Sequence, residues 1–233
     1  MPSARAKKQR VAWLGRIREA VFGVQDGLLS TVAFVAGLHG ATASGRVVLI
    51  GGLVELVAGA MSMGVGAYLS SKAERSVFER AIREEQARFR EEPCLAHEQL
   101  LEALESEGMP RERAYQAVKL IREHEDAFFR TFREKVLGLG DLALGQPLVE
   151  GLVMAASFAV GAALVLLPYA FLEGSLALGA AMGLALLALF GVGVAKGVFA
   201  GQGRLLSAGL EVLLPAAGAA LLGYLFGLVL PEA

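Results

Sequence analysis

The chain has 233 residues, 55% of them hydrophobic and 19% charged, with a net charge of −1 and a mean hydropathy of +0.54. Of its 45 charged side chains, 28 fall within residues 71–135, a split that excludes an ordinary globular enzyme and a disordered chain and points to a membrane protein with one polar insert. The near-neutral total offers no basic field for nucleic acid, and the single cysteine, Cys94, excludes an intrachain disulfide or a cysteine-built metal cluster within one chain.

The N-terminal segment is basic, but Arg16, Arg18 and Glu19 interrupt its apolar character and no small-residue cleavage site follows. It reads as retained rather than as a signal peptide. Five apolar runs follow: Val21–Leu38 with Gln25 and Asp26, Val47–Leu69 with Glu55, Pro147–Leu167 with Glu150, a fourth within Leu172–Ala195, and Leu206–Leu230 with Glu211. At ~1.5 Å per residue each is long enough to cross a hydrocarbon core of about 30 Å. The insert between the second and third runs reads as three helices. Ser71–Glu92 carries Phe78, Ile82 and Phe89 at helical spacing and is stopped by Pro93. A second helix, about Ala96–Glu107, uses Leu100, Leu101 and Leu104, and a third, about Arg111–Val136, uses Ala114, Ile121, Phe128 and Phe132. No strand-like alternation occurs. The expected fold is all-α: five transmembrane helices with a three-helix cytoplasmic insert, divided as 1–70, 71–136 and 137–233.

Orientation follows from the cations. With the N-terminus inside, 21 of the 22 Lys and Arg residues face the cytoplasm and Arg46 alone falls outside. The expected location is therefore the cell (inner) membrane, multi-pass, with an external C-terminus. Glycines four or so apart recur in the spans, among them Gly59, Gly64, Gly179, Gly183, Gly223 and Gly227. Small residues at this spacing allow close helix approach within a subunit or between copies.

Asp26 and Glu55 carry the sharpest chemical signal. An ionisable side chain at membrane depth costs at least ~2.5–3.5 kcal/mol on insertion scales, so its presence points to function. Running the antiparallel second helix back towards the cytoplasm brings Met63 to about the depth of Asp26, and two carboxylates with a thioether offer hard and soft ligands to a first-row divalent cation. The bland alternative is a hydrogen-bonded acid in a packed interface, with Met63 as core. In the insert, Glu98, Glu102 and Glu105 share a helix face behind Glu84, Glu85, Glu91 and Glu92. Such carboxylates suit hard divalent ions, although spacing alone favours a solvated surface paired with arginines. Cys94, His97 and His124 lack a second matching pair and read as incidental. No E-x-x-H, P-loop or G-x-S-x-G pattern occurs, which leaves di-iron, ATPase and serine chemistry without support. No enzymatic activity is expected.

The stretch Asp26-Gly27-Leu28-Leu29-Ser30-Thr31, with Val35-Ala36-Gly37-Leu38 after it, resembles the first-span signature of the vacuolar iron transporter family. So does Met61-Ser62-Met63-Gly64-Val65-Gly66-Ala67-Tyr68-Leu69-Ser70 with Lys72-Ala73-Glu74. The resemblance, in a bacterial-type form, implies a homodimer that moves Fe²⁺, and often Mn²⁺ or Co²⁺, out of the cytosol in exchange for protons. Asp26, Glu55 and Met63 match the family's path-lining positions. The metal is cargo and the proton the coupling ion; no prosthetic group is implied. The family's metal-binding insert positions are matched by Glu85 and Glu134, whereas Arg88, Ala96 and Gln99 replace other expected ligands and Ala67 replaces a pore-mouth glutamate. Glu84, Glu92, Glu98 and Glu102 are the residues from which an insert site could be rebuilt. The competing reading is a non-transporting membrane scaffold or metal sensor with an acidic cytoplasmic domain. The partners expected on the first reading are divalent metal ions, the lipid bilayer and a second copy of the chain.

Overall fold

The computed structural model describes residues 4–42, 44–138, 146–199, 201 and 203–229. Among them are eight α-helices and no strand: α1 (Ala4–Ala41), α2 (Gly45–Glu91), α3 (Pro93–Ser106), α4 (Arg111–Arg122), α5 (Glu125–Lys135), α6 (Pro147–Leu166), α7 (Gly174–Phe199) and α8 (Leu205–Val229), with a short 3₁₀ turn at Leu167–Ala170. Five of these are long and apolar enough to cross a membrane, within Arg16–Ala41, Gly45–Phe89, Pro147–Ala170, Gly174–Phe199 and Leu205–Val229. The described residues fall into two compact units. One comprises those of Trp13–Leu69 and Pro147–Ala233, the other those of Ser70–Gln146 with those preceding Trp13.

In the membrane-spanning unit, α6 is the element against which α1 and α2 pack. A Cβ at Gly27 of α1 would collide with the backbone carbonyl of Phe158, and one at Gly23 would lie 2.8 Å from the carbonyl oxygen of Met154. On α2, Gly64 faces Ala155 at 2.8 Å and Gly59 abuts the Phe158 ring. Glycine is thus required at these contacts because backbone meets backbone, the geometry small residues permit in lipid. The C-terminal half of α1 is closed by α8, where Gly37 stands against Gly223 and Gly227. By contrast, among the described residues nothing lies within 4 Å of a Cβ added at Gly66, Gly179 or Gly183. Behind these contacts Leu28, Val32 and Val35 of α1 join Val165, Ala181, Leu189 and Val212 in one buried cluster. Their spacing on α1 is that of a single helical stripe.

The insert unit has a core of its own. Leu100, Leu101 and Leu104 of α3 pack with Ala114 and Val118 of α4 and with Phe128 and Phe132 of α5. Phe89 stacks on Phe128 with ring centroids 5.1 Å apart. Gly108, at φ 93, turns the chain out of α3, a conformation that side chains bearing a Cβ rarely adopt.

One expectation needs correction. The helix anticipated over 111–136 is two helices, because His124 takes an extended conformation (φ −124, ψ 98) between α4 and α5. Neither Gly nor Pro causes the break. Lys119 and Arg122 close α4 while Glu125 and Asp126 open α5, so each set complements its own helix dipole and two short helices are electrostatically favoured over one. The insert therefore has three helices beyond α2. Phe128 and Phe132 are each 1% exposed. Phe128→Ala should cost about 3–5 kcal/mol, seen as faster limited proteolysis within 71–135 of the intact protein; an unchanged cleavage pattern would remove Phe128 from the core.

Candidate functional site

The first span places its polar residues one turn apart. Asp26 and Ser30 are separated by four residues on α1 and so share a face, with Thr31 beside Ser30. Across from them, α2 carries Glu55. The Ser30 hydroxyl donates to one carboxylate oxygen of Glu55 at 3.1 Å, and the Thr31 hydroxyl donates to the other at 2.8 Å. Thr31 is fully buried. Hydrogen bonds to a charged group contribute about 1.5–3 kcal/mol each, so the two together offset the ~2.5–3.5 kcal/mol that a carboxylate costs at membrane depth. This explains why the acid is tolerated there. It does not by itself say what the acid does.

The same pair of bonds fixes the register of α1 against α2. Gly27 and Gly59 both meet Phe158, so Asp26 lies near the level of Gly59. Met63, four residues beyond Gly59, sits about one helical turn (about 6 Å) nearer the insert than Asp26 rather than level with it. Asp26, Glu55 and Met63 thus occupy successive levels along one helix pair, in the order Met63, Asp26, Glu55. Asp26, Glu55 and Met63 are all partly buried. Ser30 and Thr31 are the residues that sequence reasoning did not assign as partners of Glu55. The available signal was the pair of hydroxyls one turn after Asp26, between the apolar residues Gly27–Leu29 and Val32–Leu38.

A second, partly buried polar pair lies further along α1, where the Tyr169 hydroxyl meets Nδ1 of His39 at 3.2 Å.

The insert's carboxylates are dispersed. Glu85 accepts from Arg88 at 3.0 Å and Glu84 from Arg80 at 2.7 Å. Glu98, Glu102 and Glu134 are exposed. Among the described residues, no three His, Cys, Asp or Glu side chains converge as a metal-binding group. The insert as it stands offers ion-paired helix surfaces. His97 is held below the usual histidine range by burial and then by the nearby Arg122 cation.

Comparison with known proteins follows this geometry. The family model described as the VIT family matches residues 17–228. The chain is 33% identical over 193 residues to vacuolar iron transporter 1 of Arabidopsis thaliana, covering 82% of this chain and 77% of that one. Identity to vacuolar iron transporter 1 of Oryza sativa subsp. japonica is likewise 33%, over the same shares. Protein CCC1 of Saccharomyces cerevisiae is 24% identical over 67% of this chain and 49% of its own length.

Proposed function

The chain belongs to the VIT family, and we propose that it carries Fe²⁺, with Mn²⁺ and Co²⁺ as further cargo, out of the cytosol in exchange for protons. The observation that supports this most is the Glu55 carboxylate, held at both oxygens by Ser30 and Thr31, one turn from a second acid, Asp26, in the same helix pair. Two carboxylates and their hydroxyls supply oxygen ligands that suit a first-row divalent ion, and the Met63 thioether adds a soft donor favouring iron over magnesium. On this reading Asp26 and Glu55 alternate between cation and proton, since a ligand must lose its proton as the metal binds. The path then runs along α1 and α2 from the level of Met63, through Asp26, to Glu55.

A homodimer agrees with the exposure of α2. Its most apolar stretch is 17% buried, the lowest of the five spans, with α8 at 22%, α7 at 28%, α1 at 39% and α6 at 44%. That open face carries Val54, Val57, Met61 and Val65 and is suited to a second copy. In this proposal the insert's glutamates gather metal without forming the path, so neutralising Glu85, Glu98, Glu102 and Glu134 slows transport without stopping it.

The deciding experiment is uptake into proteoliposomes, with Fe²⁺, Mn²⁺, Co²⁺ and Zn²⁺ compared under an imposed pH gradient. Fe²⁺ flux that rises with the gradient and moves protons the opposite way is the expected result. No flux of any of the four would leave the scaffold or sensor reading. Orientation has a separate check. A reporter fused after residue 100 should be cytoplasmic and one at the C-terminus external, in the cell (inner) membrane; cytoplasmic signals from both would overturn the five-span count.

A further inference from the structure

The antiparallel pair α3 and α4 encloses a half-open groove of about 760 Å³ on the insert. That volume lies within the range of small-molecule sites, roughly 300–1,000 Å³. Its lining is organised along its length. At one end stand Lys119 and Arg122, in the last turn of α4. Among the described residues neither forms an ion pair with a carboxylate. The middle is apolar and aromatic, with Leu101 and Val118 beside Tyr115. Glu98, Arg111 and Glu112, all exposed, complete the lining.

Charge decides what such a groove can hold. The first turn of α3 lacks a side-chain cap, so its positive pole meets the negative pole of α4 and the two offset each other. Over the whole lining, three side-chain cations, Arg111, Lys119 and Arg122, stand against the carboxylates of Glu98 and Glu112 and leave the groove net positive, which favours an anion. Arg presents a planar fork matched to phosphate oxygens, and Lys a second point charge. Tyr115 is 64% exposed, leaving a ring face on which a flat group can stack. Carboxylates in the lining accept hydrogen bonds only, and thus require donors on the ligand.

We propose that this groove binds a nucleoside phosphate, with the phosphates on Lys119 and Arg122, the base against Tyr115, and ribose or base donors on Glu98 and Glu112. Each part of the lining then has a counterpart. A bare inorganic anion leaves the aromatic and acidic parts unused, and an uncharged nucleoside leaves the cations unused.

The test uses the intact protein in detergent, freed of metal with a chelator, and reads binding rather than transport, so that its outcome is independent of the transport proposal. By equilibrium dialysis, ATP is expected to bind with Kd below about 1 mM, and inorganic phosphate and adenosine each at least about tenfold more weakly. The Lys119→Gln/Arg122→Gln double variant should weaken ATP by at least about tenfold, while Tyr115→Ala weakens ATP and leaves phosphate unchanged. All three side chains are exposed, and the melting temperature of each variant checks its fold. Broadening of the ATP phosphorus resonances by the unmodified protein provides a readout that needs no variant. Absence of ATP binding up to about 5 mM, or ATP binding unaltered in the double variant, overturns the proposal.

Discussion

Asp26→Asn and Glu55→Gln each lower metal flux, and the proton movement coupled to it, by at least about 10- to 100-fold, the loss expected when one charged ligand contributing about 1.5–3 kcal/mol is removed. Both changes nearly preserve shape. In Glu55→Gln one amide oxygen still accepts from Ser30 or Thr31, and the other hydroxyl can rotate to accept from the new amide. The helix pair therefore survives while the charge is lost. An amide cannot neutralise a divalent cation, and it has no proton to exchange at working pH. Met63→Leu keeps the volume and loses only the sulfur, so it should blunt the preference for Fe²⁺ over Mg²⁺ while sparing the fold. Flux at the parental rate in folded, monodisperse Asp26→Asn and Glu55→Gln proteins would make both acids structural and the proposed mechanism wrong.

Gly27→Val should disrupt the membrane-spanning unit. Any Cβ at this position collides with the Phe158 carbonyl, and the Cα and carbonyl carbon of Phe158 lie only 3.0 Å away. All three atoms are backbone, so no rotamer change relieves the contact and α1 must part from α6. Overpacking of ordinary cores costs about 1–3 kcal/mol, and a backbone obstacle places this site at or above the upper end. Separation here also disturbs Asp26 next in sequence and the hydroxyls one turn on. The protein should melt earlier and lose monodispersity on heating. Gly179→Val on α7, with nothing within 4 Å of the added carbon, should leave melting unchanged. Equal melting of the two variants would show that α1 does not rest on the α6 backbone.

The spans were legible because hydropathy and length are properties of a segment by itself. Val21–Leu38 and Val47–Leu69 could be marked without knowing what they touch. Register is different, because it belongs to two helices. The depth of Met63 relative to Asp26 was misjudged by about a turn since only the bonds from Ser30 and Thr31 to Glu55 fix how α2 slides along α1. Glycine spacing had the same weakness. Gly223, Gly227, Gly179 and Gly183 look alike in sequence, yet the first two meet α1, whereas an added Cβ at the others would have nothing within 4 Å among the described residues. The break at His124 carries neither Gly nor Pro and is marked instead by the change from Lys119 and Arg122 to Glu125 and Asp126. Cys94 and His97 read as incidental to metal binding from their spacing alone. That they share a groove with Lys119 and Arg122 depended on how α4 returns along α3.

The grip on Glu55 bears on time as well as affinity. An ionised carboxylate offers about four lone-pair positions, and Ser30 and Thr31 already occupy one on each oxygen. A cation reaching Glu55 along the proposed path can therefore gain few new ligands at once and must exchange its hydration water piecemeal. Ions that give up water readily would pass quickly, while Mg²⁺, which dehydrates reluctantly, would be delayed even where its equilibrium binding was adequate. Discrimination at this point would then be a matter of residence and dehydration rate, set by two hydroxyl groups that never need to leave their places.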